Sequence, residues 1–118
     1  MARHSYSLQY AESDFDEVDE KGIAAPTDIL AAFDAFDWPV QARAAEQLQK
    51  CAPTFSVREA DGKRFLWVSA YGPPDLKFVN EYSDSRSTRE LSLTEARRAI
   101  QLFVEGDHGG LLTLLRGT

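Results

Sequence analysis

The chain has 118 residues, of which 43% are hydrophobic and 11% aromatic, a composition that predicts one folded domain with its own core. Its net charge of −6 argues against direct binding to nucleic acid, which requires a basic surface. The single cysteine, Cys51, cannot form an internal disulfide, and no apolar run is long enough for a signal peptide or a membrane span, so we expect a cytoplasmic location and no membrane partner.

The first predicted element is a short strand at residues 5–10. Tyr6, Leu8 and Tyr10 alternate with other residues there, and a period of two is typical of a half-buried strand. A loop at residues 12–20, named here the acidic segment, follows this strand and contains no base. Its six carboxylates are Glu12, Asp14, Asp16, Glu17, Asp19 and Glu20.

The acidic segment accounts for the whole charge imbalance of the chain. There are 19 acidic and 13 basic residues in total, so the rest of the chain carries 13 of each sign. Like charges this close repel one another, and such a segment is typically a solubilising loop or a surface that binds a basic partner. We therefore treat its six acids as candidate partner-binding residues.

A site for a hard cation is a third interpretation of the acidic segment. A calcium loop that begins at Asp14 would need glycine at its sixth position and glutamate at its twelfth. Those positions hold Asp19 and Ala25. The spacing therefore excludes this type of loop, and we predict no metal ligands and no cofactor.

Two helices are predicted next, separated by a kink. The first begins at Pro26, with Thr27 or Asp28 as its cap. Its apolar residues recur at helical spacing and predict a buried stripe. The stripe consists of Ile29, Leu30, Phe33 and Phe36.

Pro39 causes the kink, because proline lacks the backbone donor that a continuous helix needs. Asp37 is expected to cap the second helix, with Pro39 in its first turn. Trp38 lies at the kink, and an exposed tryptophan there would concentrate binding energy, so we add it to the candidate partner-binding residues. The predicted buried side of this helix consists of Val40, Ala44, Leu48 and Cys51.

A meander of three strands is predicted over residues 54–82. Asp61-Gly62 is typical of a two-residue hairpin turn between the first two strands. Residues 65–68 are all apolar, which predicts a central strand covered on both faces. Gly72-Pro73-Pro74 turns the chain into the third strand.

Two helices are predicted to complete the chain. Ser92 and Glu95 have the spacing of a capping box, and Gly106 followed by Asp107 predicts the end of one helix and the cap of the next. The order β-α-α-β-β-β-α-α indicates a single α+β domain over residues 1–118, with helices packed on a mainly antiparallel sheet.

One shared core is predicted from these patterns, and no active site. His4, near the terminus, and His108, at a helix entry, match no nucleophile or metal motif, so we expect a protein that is not an enzyme. The predicted core consists of Phe33, Phe36, Leu48, Phe55, Val57, Phe65, Trp67, Phe78, Ile100 and Phe103.

Residues 26–70 resemble small immunity proteins of bacterial polymorphic-toxin systems, especially those of contact-dependent growth inhibition. The resemblance rests on residues 29–39, a helix that ends at the Trp-Pro kink, together with residues 51–57 and the Asp61-Gly62 hairpin. It implies a cytoplasmic protein that binds and neutralises a cognate toxin domain, often a nuclease with a basic cleft. It assigns no role to any single residue.

A secretion chaperone is the alternative function. Such a chaperone is also a small acidic α+β protein without catalytic residues, and it holds an unfolded segment of an effector. A chaperone is expected to be a stable dimer without its client and to tolerate neutralisation of residues 12–20. The sequence alone leaves the oligomeric state of this chain open.

Overall fold

The computed structural model describes residues 3–14, 16–85 and 89–116. Its strands are β1 (His4–Gln9), β2 (Asp19–Ala24), β3 (Thr54–Glu59), β4 (Phe65–Tyr71) and β5 (Lys77–Tyr82). Its helices are α1 (Pro26–Ala35), α2 (Trp38–Leu48), α3 (Leu93–Glu105) and α4 (His108–Arg116).

The five strands form one antiparallel sheet in the order β2-β1-β3-β4-β5. The predicted fold class, α+β with a mainly antiparallel sheet and a meander at residues 54–82, is confirmed. Strand β1 enters between β2 and β3, so the two edges of the sheet are β2 and β5.

Strand β2 was not predicted, and it shortens the acidic loop. Asp19 and Glu20, the last two residues of the acidic segment, pair with Leu8 and Ser7 of β1. The sequence of β2 (Asp-Glu-Lys-Gly-Ile-Ala) has little apolar alternation, and glycine and charged residues are unfavourable in strands. The strand forms because β1 supplies a ladder of backbone hydrogen bonds, a tertiary effect that outweighs local propensity.

Residues paired across antiparallel strands point to the same face, so the register divides the sheet into an inner and an outer face. All four helices contribute to one buried apolar cluster with the inner face, for example through Phe33, Trp38, Phe103 and Leu111. The inner face consists of His4, Tyr6, Leu8, Phe55, Val57, Glu59, Leu66, Val68, Ala70, Phe78, Asn80 and Tyr82.

The core prediction is confirmed for seven residues and wrong for three. Phe65 and Trp67 lie on the outer face of β4 and are only partly buried, whereas Leu66 and Val68, which alternate with them, are fully buried. Leu48 of α2 is 50% exposed. The confirmed core residues are Phe33, Phe36, Phe55, Val57, Phe78, Ile100 and Phe103.

The buried side of α2 is also different from the predicted one. Trp38 and Ala42, four residues apart, are the buried residues of this helix, while Val40 is 56% exposed. The indole of Trp38 enters the core at the kink, and this fixes the rotation of the helix about its axis. Cys51, which follows the helix, is buried as expected.

The predicted caps are confirmed at three helices and wrong at the first. Ala25 is the N-cap of α1 and Pro26 its first residue, so Thr27 and Asp28 already lie inside the helix. Asp37 accepts a hydrogen bond from the Val40 backbone at 3.3 Å, and both hydrogen bonds of the Ser92–Glu95 capping box are formed. At α4, Asp107 accepts from the Gly110 backbone at 2.9 Å.

The β3–β4 hairpin has a longer turn than predicted. The Glu59 N–H donates to the Arg64 carbonyl at 2.9 Å, which encloses four residues instead of two. Gly62 adopts a φ of +76°, where a side chain would be strained, and Asp61 accepts a hydrogen bond from the Lys63 backbone at 3.0 Å. The predicted turn at Asp61-Gly62 is therefore confirmed, whereas its predicted length of two residues is wrong.

Candidate functional site

The outer face of the sheet carries aromatic and apolar side chains that do not belong to the buried cluster. Phe65 and Trp67 are partly exposed, and Tyr71 is 50% exposed. These three residues lie along one side of β4, which has a neighbouring strand on both sides. Rings held outside the core on a rigid central strand are well suited to contact another molecule.

Two depressions that share the lining residues Ser56 and Trp67 mark this face. One, of about 530 Å³, extends from Trp67 and Tyr71 to Lys50 and Cys51. The other, of about 180 Å³, extends from Trp67 to Val18 and Glu20. Trp67 lines both depressions, and no residue of α1 to α4 lines either of them.

The acidic segment forms the border of the same face. Its Glu20 is paired with Ser7, an outer-face residue of β1. Gln9, also on the outer face, donates hydrogen bonds to the backbone carbonyls of Asp14 at 3.4 Å and Glu17 at 3.3 Å. The register of the sheet thus places Glu20 on the same face as Trp67, with Ser7 and Ser56 between them, although the sequence separates the two residues by about fifty positions.

The loop part of the acidic segment is attached to the fold by buried residues. Ala11 is fully buried, and its N–H donates to Gln41 of α2 at 2.8 Å. Ser13 is 6% exposed, and its carbonyl accepts a hydrogen bond from the Cys51 thiol at 3.3 Å. The backbone at Ala11 and Ser13 is therefore fixed against α2 and the segment that follows it.

Two of the six carboxylates are paired with lysine. Asp14 contacts Lys50 at 3.0 Å, and Asp19 contacts Lys21 at 2.9 Å. The hydrogen bond to Asp14 raises the pKa of Lys50, and the one to Asp19 raises the pKa of Lys21. Among the described residues, the other four acids have no ion-pair partner, and all four are exposed: Glu12, Asp16, Glu17 and Glu20.

The interpretation of Trp38 as an exposed partner-binding residue is wrong. Its side chain is 3% exposed, and its ring lies 4.4 Å from that of Phe36 and 5.0 Å from that of Phe78. Phe33 also packs against Trp38, so three aromatic rings surround the indole at the kink and bury it. The partly exposed tryptophan is Trp67, which the sequence analysis placed in the core.

Both histidines lie in a polar cluster that sequence reasoning did not anticipate. His108 Nδ1 is 2.6 Å from the Tyr82 hydroxyl, and His108 Nε2 is 3.7 Å from a Glu59 carboxylate oxygen. His4 pairs with Glu59 in the β1–β3 register and is 1% exposed, so it does not lie in a frayed terminus. Only the strand register could have revealed this cluster.

The chemistry of this cluster follows from its burial. Burial lowers the pKa of His4, an effect that nearby Glu59 opposes and His108 reinforces. Burial, followed by the charge of Asp84, raises the pKa of Tyr82 to about 12. The Phe103 ring packs against both imidazoles, at centroid distances of 5.4 and 5.8 Å. The cluster therefore ties α4 to the sheet.

The described residues contain no group of three or more His, Cys, Asp or Glu side chains arranged to hold a metal ion. In the same part of the chain, no helix is long and apolar enough to cross a membrane. Comparison of the chain with protein-family models, curated proteins and solved structures finds no match. The geometry of the outer face and the acidic segment is therefore the basis for a functional interpretation.

Proposed function

We propose that this chain is an immunity protein that binds a basic toxin domain through the outer face of the sheet and the adjoining acidic segment, and so neutralises the toxin. The observation that carries the proposal is that Trp67, which lies outside the core, and the exposed Glu20 of the acidic segment line the same depression. Aromatic anchors concentrate binding energy, and charges at the rim accelerate association and select the partner.

The charge distribution favours a basic protein over a nucleic acid as the partner. Stacking on aromatic residues of an open sheet is also a way to bind single-stranded RNA, but such surfaces are basic. Here the rim contains Glu12, Asp16, Glu17 and Glu20, which repel phosphates. A nuclease whose cleft binds phosphate presents the complementary charge, so the acidic segment is suited to occupy or cover that cleft.

The first test compares two variants of equal net charge. The rim variant combines Glu12→Gln, Asp16→Asn and Glu20→Gln, three acids without an ion-pair partner in the described chain. The control variant combines Asp28→Asn, Asp75→Asn and Glu90→Gln, exposed acids that lie outside the acidic segment and line neither the outer-face depressions nor the one beside Ile23. The probe is a catalytically inactive form of the toxin domain of a large secreted protein, sought among the genes that flank the gene of this chain.

Association rates are measured by stopped-flow fluorescence at low and high salt. We expect the rim variant to associate roughly tenfold more slowly than wild type at low salt, and with a weaker salt dependence. The control variant should stay close to wild type, because distant exposed charges are screened. Equal rates for the rim and control variants would contradict the role of the acidic segment.

A second readout separates this proposal from a secretion chaperone. Cells that produce the active toxin should survive when they also produce the wild-type chain. A chaperone would instead form a stable dimer alone, bind an unfolded segment and tolerate the rim variant. The absence of a toxin gene beside that of the chain, or failure of the chain to protect, would argue against an immunity function.

A further inference from the structure

Strand β2 forms an open edge of the sheet. It pairs with β1 on one side, and on its other side no backbone hydrogen bond is present among the described residues. At the opposite edge, Phe78 of β5 exchanges two backbone hydrogen bonds with Leu91, each of 2.9 Å. An open edge presents donors and acceptors with which a further strand can pair.

The register identifies the residues of β2 whose backbone groups point outward. The Arg3 carbonyl accepts a 2.8 Å hydrogen bond from the residue that follows β3, so Arg3 and every second residue after it bond toward β3. Ser5 and Ser7 belong to this set, and their partners in β2 are Ile23 and Glu20. Residues opposite such positions direct their own N–H and C=O groups away from β1. The free groups therefore belong to Glu20 and Ile23, which lie three positions apart because a bulge leaves Lys21 without a partner in β1.

The side chains of these two residues point to the outer face. Ile23 is 59% exposed, and Glu20 is exposed and borders the smaller depression beside Trp67. A strand added next to β2 would place its own side chains beside theirs, where opposite charges and apolar pairs are favourable. The edge and the outer face thus form one continuous surface.

We infer that the toxin domain adds an extended segment to β2 as a sixth strand, with a basic residue beside Glu20 and an apolar residue beside Ile23. This inference rests on the proposed function, and it specifies the form of the partner. A second copy of the chain is the less suitable occupant, because pairing of two β2 strands would bring two acidic segments together. Charge complementarity therefore favours a basic segment.

The test uses two substitutions at one position and the inactive toxin domain as the probe. Glu20→Gln removes the charge and keeps the outward N–H group, whereas Glu20→Pro removes both. Proline is compatible with the extended backbone of Asp19 before it, and it leaves the ladder to β1 without a missing donor. We expect Glu20→Gln to weaken binding only a few-fold, and Glu20→Pro to weaken it by roughly a further tenfold, measured by isothermal titration calorimetry.

Amide exchange of the unmodified chain provides a measurement that does not depend on folding of the proline variant. In the free chain, the amides of Glu20 and Ile23 should exchange fast, and those of Gly22 and Ala24, which face β1, should be protected. Addition of the toxin domain should slow exchange at Glu20 and Ile23 by about tenfold or more. Residue-resolved NMR detects this pattern of alternating protection.

The possible results separate this inference from the proposed function. Equal affinity of the two Glu20 variants, with unchanged exchange at residues 20 and 23, would overturn strand addition and leave the immunity function intact. A wild-type chain that does not bind the toxin domain would overturn both. Protection of residues 20 and 23 in the free chain, together with a dimer in sedimentation experiments, would assign the edge to a second copy and also overturn the inference.

Discussion

The two tryptophans of this chain test whether the core residue contributes to stability and the outer-face residue to binding. Trp38 is 3% exposed and packs among Phe33, Phe36 and Phe78, whereas Trp67 is partly exposed on the outer face. The same substitution should therefore mainly affect stability at one position and mainly affect binding at the other. We predict that Trp38→Ala lowers the free energy of unfolding and that Trp67→Ala lowers the affinity for the partner.

The free energy of unfolding that Trp38→Ala removes can be estimated from the surroundings of the side chain. Truncation of a buried aromatic residue to alanine costs about 3–5 kcal/mol, from lost transfer energy and the cavity left behind. The Trp38 Nε1 is buried without a hydrogen-bond partner among the described residues, and its removal returns part of a desolvation cost of about 1–3 kcal/mol. We therefore expect about 3 kcal/mol for Trp38→Ala, and less for Trp38→Phe, which keeps most of the ring volume.

The expected cost of Trp67→Ala is smaller, about 1 kcal/mol. The side chain contributes nothing to the buried cluster, so what is lost is partial burial and the strand propensity of tryptophan. For a domain of this length, a difference of about 2 kcal/mol between the variants corresponds to roughly 8 °C in the midpoint of thermal unfolding.

Equilibrium unfolding in urea, followed by circular dichroism, measures both stabilities. The slope of the free energy against urea should be the same for both variants, because both expose the same surface on unfolding. Affinity for the inactive toxin domain is then measured under conditions where both variants are folded. Equal stabilities of the two variants would refute the placement of Trp38 in the core and Trp67 outside it. Unchanged affinity of Trp67→Ala would remove Trp67 from the proposed binding surface.

Two further predictions test the core and the polar cluster. Leu66 and Phe65 are adjacent residues on opposite faces of β4. In urea unfolding, Leu66→Ala should lower the free energy of unfolding by about 2–5 kcal/mol, and Phe65→Ala by less than half of that. The reverse order would show that the inner and outer faces are exchanged. Burial lowers the pKa of His4 from its usual 6.5, so the unfolded chain binds more protons; the stability due to a neutral His4 is complete above pH 6.5 and decreases as the pH falls below it. We expect the loss of stability between pH 7.5 and 5.5 to be smaller in His4→Gln than in wild type, and an identical loss would exclude His4 as its source.

Local chemistry in the sequence was sufficient for the caps of three of the four helices and for most of the core. Asp37, Ser92 and Gly106 each act within one turn of helix, and the structure has them in the expected roles. The α+β class followed from the order of the periodic segments. Such features depend on hydrogen bonds and side-chain spacing over a few residues, which a sequence displays directly.

The tertiary structure decided which apolar residues are buried. Leu66 and Trp67 are both apolar and adjacent, and only the position of the helices on the inner face makes one a core residue and the other a surface residue. The rotation of α2 is a similar case, since Trp38 enters the core and thereby leaves Val40 and Leu48 exposed. A periodic pattern identifies a stripe, but the packing partner determines which stripe is covered.

The candidate site shows the same division between local and tertiary information. Charge counting alone identified the acidic segment, because the number of carboxylates in a short stretch is a property of the sequence. The pairing of Glu20 with Ser7, the depression that Glu20 shares with Trp67 and the open edge of β2 depend on the sheet register, which joins residues far apart in the chain. Register is determined by backbone pairing between strands, and no single strand contains it.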